Sequence, residues 1–178
     1  MTTDLAFNHF LSIPWCRVHL SDKAFQPLHQ ERSARPDNAH TLFGETWHTD
    51  NTIPYMLMLY RPPCEEKGQT GEMRGFFTVG TGLNQHPNIF HGGATATILD
   101  SAVGALVRTE LPNTIPSYTV VLNVTYKKAL RPPMTIMTRS WVTKVEGRKT
   151  WAHAQVEGGT GEIYATAEVM MVSAKAKL

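Results

Sequence analysis

Cysteine is scarce: Cys16 and Cys64 are the only two in 178 residues. Two thiols cannot build a disulfide framework, and no CxxC or Cys/His spacing offers a zinc site, so no metal is expected. A reducing, intracellular compartment fits that usage. Charge bias is lacking too. The 17 Lys and Arg nearly balance the 15 Asp and Glu, for a net charge of +2. No basic stripe of the kind a nucleic-acid surface needs stands out, so no nucleic-acid partner is expected. Long apolar runs are missing. The stretch from Tyr55 to Tyr60 falls far short of the roughly 20 residues that cross a bilayer, so no membrane span is expected. Asp4 stands where a signal peptide would be basic, and no apolar segment follows it, so no leader is expected. The lack of low-complexity tracts and heptads excludes disorder, collagen and coiled coil.

What is present is a chain with 42% apolar residues, enough for one domain with a buried core and an added segment. The added segment is residues 1–40, rich in His, Pro and Arg, with a short helix expected over Thr3 to Leu11, ended by Pro14, and otherwise loops. Residues 41–178 are read as the main domain. Strands are expected over Thr41 to Thr46, Ile53 to Tyr60 and Arg74 to Val79, with an exposed loop from Arg61 to Gly71 and a turn-rich loop from Gly80 to Phe90. One long helix follows, Gly92 to Leu111, stopped by Pro112. Four strands close the chain: Tyr118 to Leu130, Thr135 to Val145, Lys149 to Glu157 and Glu162 to Ser173. One long helix with a meander of strands is an α+β pattern, with the helix packed by a single antiparallel sheet. The chain ends Ala176-Lys177-Leu178, which resembles the small-basic-leucine peroxisomal address; a peroxisomal location is expected from it, and a cytoplasmic one otherwise.

The helix is built mainly of Gly, Ala, Ser and Thr from Gly93 to Leu106, which lets its backbone sit deep against a curved sheet. Ile98, Leu99, Ala102, Leu106 and Val107 form its apolar side. Thr97, Asp100, Ser101, Gly104 and Arg108 form a second, small and polar stripe. Its entry reads His91-Gly92-Gly93. Glycines there leave the first N–H groups uncovered, and the helix dipole adds partial positive charge, a combination suited to an anion or a developing oxyanion. Asp100 is a poor helix former placed among apolar neighbours, where a carboxylate needs partners.

His91 and Asp100 are nine positions apart, which on a helix is about 13 Å and roughly opposite faces. They cannot serve one reacting carbon within a chain. If both act, the Asp comes from a second subunit, and a two-fold dimer with antiparallel helices supplies it at two equivalent sites.

The segment from Gly82 to Asp100, with Tyr118-Thr119-Val120-Val121-Leu122-Asn123-Val124-Thr125-Tyr126 and Lys144-Val145-Glu146-Gly147-Arg148-Lys149, resembles the hotdog-fold acyl-CoA thioesterases. The likeness is to the phenylacetate-degradation branch and to the human thioesterase superfamily members with an HGG motif; fungal relatives share the Ile53-Pro54 strand. It covers roughly residues 40–173. It implies a single hotdog domain, a long central helix wrapped by a curved antiparallel sheet, working as a homodimer or a dimer of such dimers. It implies that Gly92 donates its N–H to a thioester carbonyl, that His91 shapes that site, that Asp100 is general base or nucleophile, and that the Thr119 hydroxyl positions the water. Relatives carry Gly where Gln85 and Asn88 stand. Asn88 can hold a left-handed turn, and both amides are candidates for contact with the acyl group, as is Gly93 beside them.

Coenzyme A, as part of the substrate and not as a cofactor, brings three phosphoryl groups. Lys127, Lys128, Arg131, Arg148 and Lys149 are the candidates to meet them. Met56, Leu57, Met58 and Phe90 indicate an apolar pocket. The other histidines, His9, His19, His29, His40, His48 and His153, show no metal-ligand spacing. The expected activity is hydrolysis of an acyl-CoA thioester to an acid and free CoA. Two alternatives use the same features: dehydration, isomerisation or cyclisation of a polyketide-like thioester, and non-catalytic binding of an acyl thioester.

Overall fold

In a computed structural model, residues 2–28, 32, 33, 35, 37, 39–111 and 116–175 are described. The Ala176-Lys177-Leu178 ending, Pro112 and His29 lie outside them. Seven strands form one sheet in the order β1-β2-β3-β7-β8-β9-β6, every neighbouring pair antiparallel. They are β1 (Gln26–Leu28), β2 (Tyr55–Arg61), β3 (Glu72–Val79), β6 (Ser117–Tyr126), β7 (Met134–Glu146), β8 (Lys149–Glu157) and β9 (Ile163–Ser173). A separate two-stranded hairpin, β4 (Asn84–His86) with β5 (Ile89–Phe90), leads directly into the helix α3 (Gly92–Glu110).

The small-residue helix lies where its composition predicts. Ile98, Leu99, Ala102, Val103 and Leu106 are fully buried, and Ile98, Leu99, Val103 and Leu106 share one core with Phe77, Ile136, Ala152, Ala154, Val156 and Val169 of the sheet. Alternation along the strands explains the match: Ala152, Ala154 and Val156 of β8 face the same side as Ala165, Ala167 and Val169 of β9. Alanines at these sites leave room for the helix to approach.

The other face of the sheet carries a second core. Phe10, Cys16 and Phe25 pack against Leu57, Leu59, Phe76 and Met137. Here the sequence reading is corrected. Residues 2–28 hold two helices and a strand, not one short helix and loops: α1 (Thr2–Ser12), α2 (Pro14–Leu20) and β1. Pro14 does end α1, but it also occupies the first turn of α2, where a missing N–H costs nothing. No described helix is long and apolar enough to cross a membrane.

Three further readings change. Thr41 to Thr46 is not a strand but a wide helical turn, Leu42–Thr46, closed by the Trp47 N–H on the Leu42 carbonyl at 2.8 Å. The β-propensity of Thr and Phe loses to a tertiary grip: the buried Arg32 guanidinium donates to the carbonyls of Phe43, Trp47, Ile53 and Pro54. Burial also lowers the Arg32 pKa to about 10. The strand expected from Tyr118 to Leu130 stops at Tyr126. Lys127 and Lys128 both turn their N–H groups to the Tyr164 carbonyl, and the chain then curls until Leu130 accepts from the Phe90 N–H. The loop expected from Gly80 to Phe90 holds the β4–β5 hairpin.

Candidate active site

The approach to α3 is set by its hairpin. Asn84 pairs with Phe90 and His86 with Ile89, leaving Pro87 and Asn88 as the turn. Asn88 adopts φ 57°, the left-handed conformation its short amide tolerates. Gln85 and Asn88 are both exposed there.

At the helix start, three peptide units are fixed differently. The His91 carbonyl accepts the Thr95 N–H at 3.1 Å. The His91 side chain is the helix cap: its Nδ1 accepts the Gly93 N–H at 2.7 Å. A ring nitrogen that accepts carries no proton, so the neutral ring is protonated at Nε2. The Gly93 carbonyl accepts from Thr97 Oγ1 at 2.9 Å. Among the described residues, no acceptor meets the N–H of Gly92. That N–H sits at the positive end of a 19-residue helix.

Eight positions along the same helix, about 12 Å by its rise, Asp100 is half-buried and accepts a hydrogen bond from Thr119 Oγ1 at 2.7 Å. Thr119 therefore fixes the carboxylate itself. Thr119 pairs with Met171 on the core-facing side of β6, just before a bulge between Thr119 and Val121, and that placement aims its hydroxyl at the helix.

One contact has no counterpart in the sequence reading. Tyr126 donates its hydroxyl to the Gly92 carbonyl at 2.8 Å, and a Cβ built on Gly92 would lie 3.5 Å from the Tyr126 ring. Tyr126 is 34 positions away along the chain, so no local spacing reveals the pair.

The candidate cations separate into two groups. Lys127, Lys128 and Arg131 are exposed on the stretch beside β5, at the Gly92 end of β6. Arg148 is at the opposite end, donating to the Ser173 carbonyl at 2.8 Å, with Lys149 paired to Val172. Phe90 is buried in the main core. Met56, Leu57 and Met58 do line one, of about 110 Å³, with Leu5, Ala6 and Leu28 at the β1–β2 edge. Among the described residues no group of three or more His, Cys, Asp or Glu could hold a metal.

One long flank is uncovered. β6 ends the sheet, and Tyr118 and Val120 are 61% and 58% exposed. Beside it, the stripe of Thr97, Asp100, Ser101 and Gly104 is only half-buried, and a Cβ on Gly104 would meet nothing within 4 Å.

Residues 87–165 match the thioesterase superfamily model. The mouse acyl-coenzyme A thioesterase THEM4 is 33% identical over 81 residues, which is 46% of this chain and 34% of the mouse protein; the chain thus matches about a third of that relative's length. Among solved structures, a Bacillus halodurans protein determined with CoA superposes with TM-score 0.54 at 24% identity, covering 65% of this chain and 73% of that one. A phenylacetic acid degradation-related protein of Ralstonia eutropha, described as a putative thioesterase, gives TM-score 0.56 at 16% identity, with coverages of 65% and 83%. The DHNA-CoA thioesterase of Staphylococcus aureus gives TM-score 0.52 at 18% identity, with coverages of 58% and 74%. The chain has the hotdog fold, and the part of it that matches the thioesterase superfamily model runs from the turn before α3 into β9.

Proposed function

We propose that this protein hydrolyses an acyl-CoA thioester to a carboxylic acid and free CoA, at two sites across a two-fold dimer. The observation that carries the reading is the pairing of an unoccupied N–H at Gly92 with a carboxylate at Asp100 held by Thr119, in a segment that matches the thioesterase superfamily. The thioester carbonyl oxygen accepts from the Gly92 N–H, and the helix end stabilises the negative charge that grows there. Asp100 of the partner subunit draws a proton from water, or attacks the carbonyl itself. The carbon–sulfur bond breaks and CoA leaves as thiolate. In the nucleophilic route, water then cleaves the acyl-Asp100 anhydride.

The dimer rests on three features. Gly92 and Asp100 stand about 12 Å apart on one rigid helix. The half-buried stripe with its open space at Gly104 accepts a second helix closely. The exposed edge of β6, with Tyr118 and Val120, offers unpaired backbone and apolar surface to a second β6. Antiparallel pairing there sets the Thr119 end of one chain beside the Tyr126 end of the other. It also brings Arg148 of the partner subunit toward Lys127, Lys128 and Arg131, so both cation groups serve the CoA phosphates of one site.

The test is thiol release from a panel of acyl-CoAs spanning chain lengths and aryl acids. Stoichiometric free thiol and acid are expected for at least one. A changed acyl group with the thioester intact, or binding without turnover, refutes hydrolysis. In the same assay Thr119→Ala is expected to lose about tenfold in turnover, the worth of one hydrogen bond to a charged group, and to keep the wild-type thermal midpoint. A collapse of folding would instead make Thr119 a structural residue of β6.

A further inference from the structure

We infer that Tyr126 is a positioning residue for the oxyanion site, holding one side of the peptide unit whose other side His91 holds. The inference rests on the hydrolase reading above, which assigns the Gly92 N–H to the substrate oxygen.

The peptide unit between Gly92 and Gly93 has two polar atoms. Its carbonyl oxygen, on Gly92, accepts from the Tyr126 hydroxyl at 2.8 Å. Its N–H, on Gly93, donates to His91 Nδ1 at 2.7 Å. The plane is thus gripped at both ends by side chains from different elements. The need for such a grip follows from the residues. Two adjacent glycines have the widest conformational freedom of any pair, and first-turn N–H groups lack the intrahelical bonds that would stiffen them. The direction of the Gly92 N–H depends on the planes either side of its Cα. The preceding plane is tied by Thr95, whose N–H donates to the His91 carbonyl. The following plane is the one that Tyr126 and His91 clamp.

Tyr126 suits this task by position. It is the last residue of β6, paired with Ala165 of β9, and the next two residues fasten to the Tyr164 carbonyl. The strand end is therefore anchored where the ring leaves it. The ring lies beside the Gly92 position, within ordinary van der Waals contact of it. An oxyanion donor is effective only when it is aimed before the charge develops. Loosening the 92–93 plane lets the Gly92 N–H wander. That weakens the transition state more than the bound thioester, whose binding comes mostly from CoA and the acyl chain.

The test is Tyr126→Phe, which keeps the ring and removes only the hydroxyl. Turnover of the best acyl-CoA is expected to fall about three- to tenfold in kcat, from the loss of one neutral hydrogen bond. KM should stay within about twofold, with the thermal midpoint unchanged. The Gly93 amide, read by NMR, should exchange with solvent faster than in the wild type. Wild-type kcat in the variant overturns the assignment. So does a raised KM with kcat unchanged, which would mark Tyr126 as a plain binding contact. If the wild type releases no thiol from any acyl-CoA, the hydrolase reading fails on its own. The clamp is then judged by the Gly93 amide, and unchanged exchange overturns it in either case.

Discussion

Asp100→Asn is expected to lower thiol release by at least about 100-fold, the lower bound of what a positioned general base contributes. The substitution keeps the shape and leaves an oxygen to accept from Thr119 Oγ1, which now donates at 2.7 Å. Folding should survive, because Asp100 makes no ion pair among the described residues and is only half-buried. Turnover near the wild-type rate would remove Asp100 from the mechanism. The same variant tests the shared site. Its counterpart is Gly92→Pro, which deletes the one N–H assigned to the oxyanion. Proline is favoured in the first helical turn, and His91 ahead of it is already extended, at φ −65° and ψ 129°, as a residue before proline prefers. Each variant alone should be inactive. In a mixed dimer one site carries both defects and the other carries neither. With equal mixing about half the dimers are mixed, so roughly a quarter of wild-type activity should return. Verified mixed dimers as inactive as the parents would confine Asp100 to its own chain or exclude it.

The sequence made α3 and the strands after it legible because each signal there is long. Nineteen residues repeat small and apolar positions at helical spacing, β8 and β9 alternate over 9 and 11 residues, and β7 runs for 13. Residues 1–46 were harder for physical reasons. A three-residue strand such as β1 is too short for alternation to register. Pro14 reads equally as a helix stop and a helix start. The turn at Leu42–Thr46 is held by Arg32, and a grip of that kind comes from tertiary structure alone. At the site, the Gly-Gly entry and the mid-helix Asp stand out as breaches of helix propensity, so His91, Gly92, Gly93 and Asp100 could be picked out. Thr119 could be named only through resemblance, since a strand threonine is ordinary. Tyr126 and the separation of Arg148 from Lys127 depend on which end of β6 meets which end of α3. That is a fact of topology.

The largest stability effect is expected at a residue remote from the site. Glu72, at the start of β3, receives three arginines. Arg74 Nε and Arg139 Nε approach its Oε1 at 2.8 and 3.0 Å, and Arg61 Nη2 approaches Oε2 at 3.3 Å. Arg74 in turn reaches Asp22 at 3.7 Å and lies 3.7 Å over the Phe25 ring, tying the segment after α2 onto the sheet. Burial alone would push the Glu72 carboxyl up; the hydrogen bonds and charges of Arg139 and Arg74 overcome that and hold it at about 2. Glu72→Ala leaves three neighbouring guanidinium groups with their central carboxylate gone, two of them mostly buried. Removing one partner from such a cluster costs about 3–5 kcal/mol, and chemical denaturation should show that loss. The pH dependence has a fixed sign. The folded carboxyl titrates below its unfolded value of 4.5, so its contribution is complete above that pH and disappears as the pH falls toward 2. The shift corresponds to about 3 kcal/mol. Wild-type stability should therefore drop steeply across that acid window, and the Glu72→Ala curve should be flatter there by the same amount. A variant that loses less than about 1 kcal/mol at neutral pH, or that keeps the wild-type acid slope, would show that the arginines are held by solvent and by Glu157 and Asp22, with Glu72 dispensable.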